Sequence, residues 1–380
     1  GGGCGDDDDA SADAGSDPDG GASPDGSLAD AAPPDPTAAV YDPAHVVEVS
    51  LELAESDWDE LRTQANDPYT LLGGDCMDGP KQTAFTWFHA AITVDGETYA
   101  DVGVRKKGFL GSASTVKPSL KVSFDEYVPG QQHLTLEKLT LNNNIQDESQ
   151  LRTCLAYEVF AQAGVPAARC NFAHVTVNGT DLGVYTNVEP IGKKMLRRQF
   201  TDDSGNLYEG QESDLQADSI ATYELKTNTT KADRTDLGAV VAAIDVPDDE
   251  LEDSLGAVFD LDAFFTFWAT EALVAHWDGF TNNRNNHFLY HDPTSGKFQL
   301  IPWGADYSFH PDDLFFPEDR PASVSANEII ASRLYAIPAM RDRYLVTLNG
   351  LLDHVWDEEA WTAEIDRMET LLTPIADPLD

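Results

Sequence analysis

At 380 residues, 41% of them hydrophobic, the chain is long enough for two domains or for one large two-lobed one. A formal net charge of −43 argues against a nucleic-acid phosphate backbone as partner and fits a protein that meets salt, divalent cations or a basic partner. No apolar run is long enough to span a bilayer as a helix.

Residues 1–37 carry ten Asp and no Lys, Arg or Glu, set among Gly, Ala, Ser and Pro. With almost nothing to bury, such a stretch does not offset its ordering entropy, so residues 1–44 read as a disordered acidic linker. Cys4 ahead of a Gly/Asp-rich tail resembles the start of a mature bacterial lipoprotein. That makes Cys4 a candidate lipid-anchor position and points to an extracytoplasmic, envelope or secreted location. The other cysteines, Cys76, Cys154 and Cys170, allow one disulfide in an oxidising compartment, with the pairing left open. No CxxC spacing points to zinc.

Folded sequence begins near Tyr41. "VVEVSLEL" (46–53) alternates as a strand does, and "SDWDELRTQA" (56–65) follows as a helix with Ser56 or Asp57 as N-cap. Two strands, 85–96 and 97–108, join at Asp95-Gly96, a hairpin dipeptide. A Gly/Ser-containing loop (108–119) leads into "LKVSFDEY" (120–127), where Lys121 and Ser123 share one face and Leu120, Val122 and Phe124 the other. After a short strand at 138–144, residues 147–164 read as an amphipathic helix closed by Gly164, and 169–191 as a hairpin turning at Asn178-Gly179. From Gly192 onward the character is helical: an apolar helix at 260–277, a hairpin at 286–303, then helices to the end. The expectation is an α+β chain, with a sheet-rich lobe at 45–191, a mostly helical lobe at 192–380 and a cleft between them.

Three stretches could carry chemistry. In "HWDGFTNNRNNHFLY" (276–290) a His, an Asp and four Asn sit between apolar segments, where polar groups need partners. His276-x-Asp278-x-x-x-x-Asn283 has the spacing of a protein-kinase catalytic loop, in which the Asp accepts the attacking hydroxyl's proton and the Asn oxygen binds Mg²⁺. Asn285 and Asn286 compete with Asn283 for the metal role. In "IPWGADYSF" (301–309), Asp306 follows an apolar strand as a metal-binding carboxylate would, or serves as a turn residue. In "VRKKGFLGSASTVKPSLKVSF" (104–124), Lys121 is the favoured phosphate partner, with Lys117 and Arg105 close behind. Only 11 Lys occur in the chain, and five of them fall between 106 and 138, which weighs against ordinary solvated surface lysines. Glu158 is a candidate partner for that Lys, and Glu189 either lines a base pocket or caps the next helix.

Taken in serial order, "VGVRKKG", "KPSLKVSF", "LTLNNN", "VTVNGTDLGVYTNVEPI", "HWDGFTNNRNNHFLY" and "IPWGADYSF" resemble the CotH-type spore-coat kinases, an atypical protein-kinase-like family. The resemblance covers roughly residues 46 to 310. It implies a two-lobed protein-kinase-like fold, ATP with Mg²⁺ or Mn²⁺, and phosphoryl transfer to Ser or Thr of a secreted or surface protein. Asp278 would be the catalytic Asp, Asn283 or Asn286 a metal ligand, and Asp306 the second metal-binding Asp. The family pattern has Trp-Asp-x-Asp where this chain reads Trp303-Gly304-Ala305-Asp306. The missing carboxylate keeps a catalytically weak or inactive surface binding protein as the alternative. An acidic calcium-binding envelope protein ranks last, because the Asp-rich tail lacks EF-hand spacing.

Overall fold

In the computed structural model the described residues are 35–67, 79–81, 83–108, 112–230, 233–310 and 323–375. Cys4, Cys76, most of the acidic stretch and the tip of the 108–119 loop therefore lie outside them. Alternating apolar residues build the first unit, as expected, from β1 (Val46–Glu52), β2 (Phe88–Val94), β3 (Glu97–Lys107), β4 (Ser119–Ser123), β5 (Lys138–Asn142), β6 (Cys170–Val177) and β7 (Thr180–Val188). Asp95 and Gly96 take positive φ values of 47° and 86°, and Asn178 and Gly179 of 49° and 73°, so both hairpins turn where the dipeptides mark them.

The strands do not lie in an open sheet. They close in the order β1-β2-β3-β4-β5-β7-β6, because β1 pairs in parallel with β6 from Val46↔Phe172 to Leu51↔Val177. The expected two-lobed, protein-kinase-like architecture with an antiparallel first-lobe sheet is thereby overturned: the chain forms a closed seven-stranded barrel beside a small sheet and helices. Closure has a simple cause. β1 and β6 would each be an edge with unpaired backbone groups, and joining them removes both edges. Inside, Val49, Leu51, Ile92, Val104, Leu120, Val122, Phe124, Leu139, Leu141 and Val175 pack a dry core.

The closing seam carries a charged clamp. Glu48 and His174 are register partners, and the His174 ring reaches Glu48 at 3.0 Å through Nδ1 and Asp181 at 2.9 Å through Nε2. Burial opposes the charge, but the two carboxylates outweigh it and hold the His174 pKa above its usual value. A raised folded-state pKa stabilises the fold fully below about pH 6.5, with the contribution lost as pH rises through the raised value. The unfolding midpoint of the parent should accordingly fall over that window relative to His174→Gln. Parallel pH profiles for the two proteins would rule the clamp out.

Residues 35–45 lie against the barrel: Val40 and Tyr41 join its core, and Asp35 pairs with Arg169 at 2.7 Å. Helix α1 (Glu55–Thr63) covers one end, and Lys106 donates to the carbonyls of Arg62 and Gln64 there. Helix α2 (Arg152–Gln162) starts five residues later than its periodicity suggests, because the Asp147 carboxylate accepts from the Ser149 and Arg152 amides and ties the preceding turn. A Cys154–Cys170 disulfide fastens α2 to β6, settling the pairing left open above.

The second unit is not purely helical. β8 (Leu207–Gly210), β9 (Glu224–Leu225), β10 (His287–Asp292) and β11 (Lys297–Pro302) form a four-stranded sheet in the order β11-β10-β8-β9. Around it lie α3 (Lys193–Gln199), α4 (Thr235–Ile244), α5 (Leu251–Gly256), α6 (Leu261–Leu273), α7 (Phe280–Asn283), α8 (Ile329–Ala336), α9 (Pro338–His354) and α10 (Glu358–Leu372). Asp260 caps α6 by accepting from the Ala263 amide. That helix is buried on nearly every side: Phe264, Phe265, Phe267 and Trp268 are all within 1% of full burial, and Trp268 stacks on Tyr344 of α9 with ring centres 4.0 Å apart. None of the described helices is long and apolar enough to cross a membrane.

Candidate active site

Strand periodicity places the basic residues. Val104, Leu120 and Val122 point into the barrel, so Arg105, Lys107 and Lys121 take the opposite face. Register sets Arg105 against Lys121, Lys121 against Thr140, and Lys107 against Ser119. This outer stripe forms one wall of a cavity of about 430 Å³ whose other wall comes from β8, β10, the 277–286 loop and Trp303–Asp306. Among the described lining residues five are cationic (Lys81, Arg105, Lys107, Lys121, Lys226) and four are acidic (Glu209, Glu212, Asp278, Asp306). In a chain with 24 basic and 67 acidic residues, that is a pronounced local reversal of charge. Lys81 pairs with Glu212 at 2.5 Å, and Lys226 with Glu224 and Glu209 at 3.0 and 3.2 Å.

The loop with kinase-like spacing curls back on itself. Asp278 receives the side-chain amide of Asn283 at 2.5 Å, of Asn286 at 2.7 Å, and of Asn285 at 3.3 Å. Burial raises the Asp278 pKa against these three donors, and the charge of Glu212 adds to the rise. The loop is sewn to the end of β11: His276 Nε2 lies 3.0 Å from the Trp303 carbonyl, and the Trp303 amide donates to the Asn286 carbonyl at 3.0 Å. Burial drives the His276 pKa down to about 4, so the ring is neutral near pH 7 and plays a structural part.

Asp306 lies in a short 3-10 turn (Ala305–Tyr307) on the same cavity wall. Burial pushes its carboxyl up to about 6; its own backbone amide and Lys107 pull it down, while Asp278 and Asp147 push it further up. The two aspartates thus sense each other's charge across one cavity. Tyr157 of α2 steadies the turn, its hydroxyl meeting the backbone amides of Gly304 and Ala305. Gly304 itself has φ of 53°, in the left-handed region, and a Cβ there would stand 2.5 Å from the Asn286 amide oxygen. The left-handed backbone favours glycine at the position where the resemblance implies Asp, and the Asn286 side chain occupies the adjoining space.

Other expected residues lie elsewhere. Lys117 does not line the cavity; its ammonium sits over the Tyr185 ring, 5.2 Å from the centre. The expected Lys121–Glu158 pair is absent, because Glu158 is on the exposed side of α2 and accepts from Gln162 at 3.1 Å. Glu189 is only 2% exposed and is held by Arg169 at 2.7 Å and Arg198 at 2.5 Å, which makes it a buried pin between β7 and α3. Lys107 is the residue that sequence reasoning passed over. It reaches Asn142 at 2.5 Å, lies 5.9 Å above the Trp303 ring and acts electrostatically on Asp306. Its outward register, shared with Arg105, was the available signal.

The donor set suits a hard cation. Among the described residues no group of three or more His, Cys, Asp or Glu forms a metal cluster, but Mg²⁺ commonly needs only one or two carboxylates beside phosphate. The buried Asp306 carboxyl and the Asn286 amide oxygen, which lies beside Gly304, are donors of that kind.

Comparison with known proteins gives the chain relatives and a family. Two relatives come from Bacillus subtilis (strain 168). The inner spore coat protein H is 26% identical over 180 residues, 44% of this chain and 49% of that one. The inner spore coat protein H-like protein is 24% identical over 256 residues, 65% of this chain and 74% of that one. This chain thus spans about half the length of the first relative. The model of the family described as CotH kinase protein matches residues 104–378, a span that holds the cationic stripe, the Asp278 loop and the Asp306 turn, and on that match the chain belongs to the CotH kinase protein family.

Proposed function

We propose that the chain is an ATP-dependent protein phosphotransferase that moves the γ-phosphate of ATP to a Ser or Thr hydroxyl of a secreted or surface protein. The observation that carries this reading is the cavity, where Asp278 and Asp306 face Arg105, Lys107 and Lys121 in an otherwise strongly acidic chain. Phosphoryl transfer asks the protein mainly for positioning and charge stabilisation. The basic stripe would bind the phosphates. Asp278, oriented by three Asn amides, would take the acceptor hydroxyl's proton. Asp306 with the Asn283 and Asn286 oxygens would hold Mg²⁺ or Mn²⁺, whose chemistry is to neutralise phosphate charge. The disulfide and the spore-coat names of the relatives support a place outside the cytoplasm.

Thermal unfolding tests the reading. Saturating Mg-ATP at 100 times its Kd should stabilise the protein by about 2.7 kcal/mol, and Asp306→Ala should lose that stabilisation. No shift at millimolar nucleotide, with either metal, would sink the proposal. Gly304 favours a second reading, a nucleotide-binding surface protein without turnover. A clear shift with no phosphate incorporated into any protein would select it.

A further inference from the structure

A residue outside the cavity governs the loop that holds Asp278. We propose that Glu271, on α6, is a positioning residue for the reaction, clamping the catalytic loop from behind; the catalytic part of this inference rests on the phosphotransfer reading above. Glu271 is 1% exposed, on a helix whose other buried residues include Phe264, Phe265, Phe267 and Trp268. A carboxylate in such a place is strongly disfavoured unless its oxygens accept hydrogen bonds.

All the donors to its carboxylate come from the loop. One oxygen accepts the Phe280 amide at 2.8 Å, and the other accepts the Thr281 amide at 2.9 Å and the Thr281 hydroxyl at 2.6 Å. The same residue's backbone carbonyl accepts the His276 amide at 2.9 Å. Glu271 therefore holds both ends of the span from His276 to Phe280, and Asp278 lies at its centre. The four-residue α7 has no side-chain cap of its own, since Gly279 occupies that position. Glycine is needed there: a Cβ on residue 279 would fall 2.1 Å from a Glu271 oxygen. With the start of α7 fixed, Asn283 at its end meets Asp278 on one side of the turn. Glu271 does not line the cavity.

Glu271→Gln keeps the volume but leaves one acceptor oxygen, which cannot serve both the Phe280 amide and the two Thr281 donors. Backbone amide exchange at Phe280 and Thr281, measured without nucleotide, should speed up about tenfold or more. Stabilisation by Mg-ATP should stay near the parent's, while kcat for labelled-phosphate transfer falls about 10- to 100-fold with KM for ATP little changed. Thr281→Val removes a single donor and should move both readouts the same way by less, which keeps the test alive if Glu271→Gln folds poorly. Parent-like exchange in Glu271→Gln overturns the clamp, as does a KM effect with kcat intact. If the parent itself transfers no phosphate, the phosphotransfer reading fails, and the exchange measurement still decides whether Glu271 holds the loop.

Discussion

Replacing Asp278 with Ala is expected to reduce phosphate incorporation from labelled ATP by ~10²-fold or more, the usual cost of losing a positioned proton acceptor. The binding of Mg-ATP should survive, because on the proposed reading the phosphates would be held by Arg105, Lys107 and Lys121 on the opposite cavity wall. The substitution leaves the three amides of Asn283, Asn285 and Asn286 without their common acceptor. These amides border an open cavity, so water replaces the carboxylate and the fold should lose little. A sharp separation of binding from transfer is thus the signature. With an active parent, parent-level incorporation by Asp278→Ala would remove Asp278 from the mechanism.

Lys107→Ala is expected to weaken Mg-ATP binding about tenfold, equivalent to ~1.4 kcal/mol and in the range for hydrogen bonds to charged groups. Lys121→Ala should cost less. Both lysines face the cavity, but the charge of Lys107 also acts on Asp306. Without it, burial together with Asp278 and Asp147 would hold the Asp306 pKa further above about 6. More of the carboxyl is then protonated near neutrality, and a protonated carboxyl is a poor ligand for a hard cation. The loss in Lys107→Ala should therefore be larger at pH 6 than at pH 8. Nucleotide titrations of both variants at the two pH values check this, and a loss independent of pH would separate Lys107 from Asp306.

How far residue patterns reach is seen in particular side chains. The spacing of His276, Asp278 and Asn283 was legible because a loop held between apolar segments must satisfy its polar atoms locally, and it does so by folding the Asn amides onto Asp278. Lys121 was legible as outward-facing through strand alternation alone. The same rule applied equally to Lys107, and nothing local distinguished the two. Glu189 misled because its partners, Arg169 and Arg198, come from separate elements, so its carboxylate was already committed to a buried pin. Glu271 gave no signal in a run of apolar helix beyond being a charge where none was expected.

The sequence by itself determined the strands of the first unit and the 286–303 hairpin, the turns at Asp95-Gly96 and Asn178-Gly179, the apolar α6 and the polar loop around Asp278, since each depends on neighbours a few residues away. Only the tertiary structure decided that β1 pairs in parallel with β6, closing a barrel in place of an open sheet. It alone decided that Cys154 joins Cys170 and that Lys107 faces Asp306 across the cavity. Those outcomes rest on pairings between distant segments, where the gain from removing exposed edges and pairing buried charge depends on which surfaces meet, and residue spacing carries no record of that.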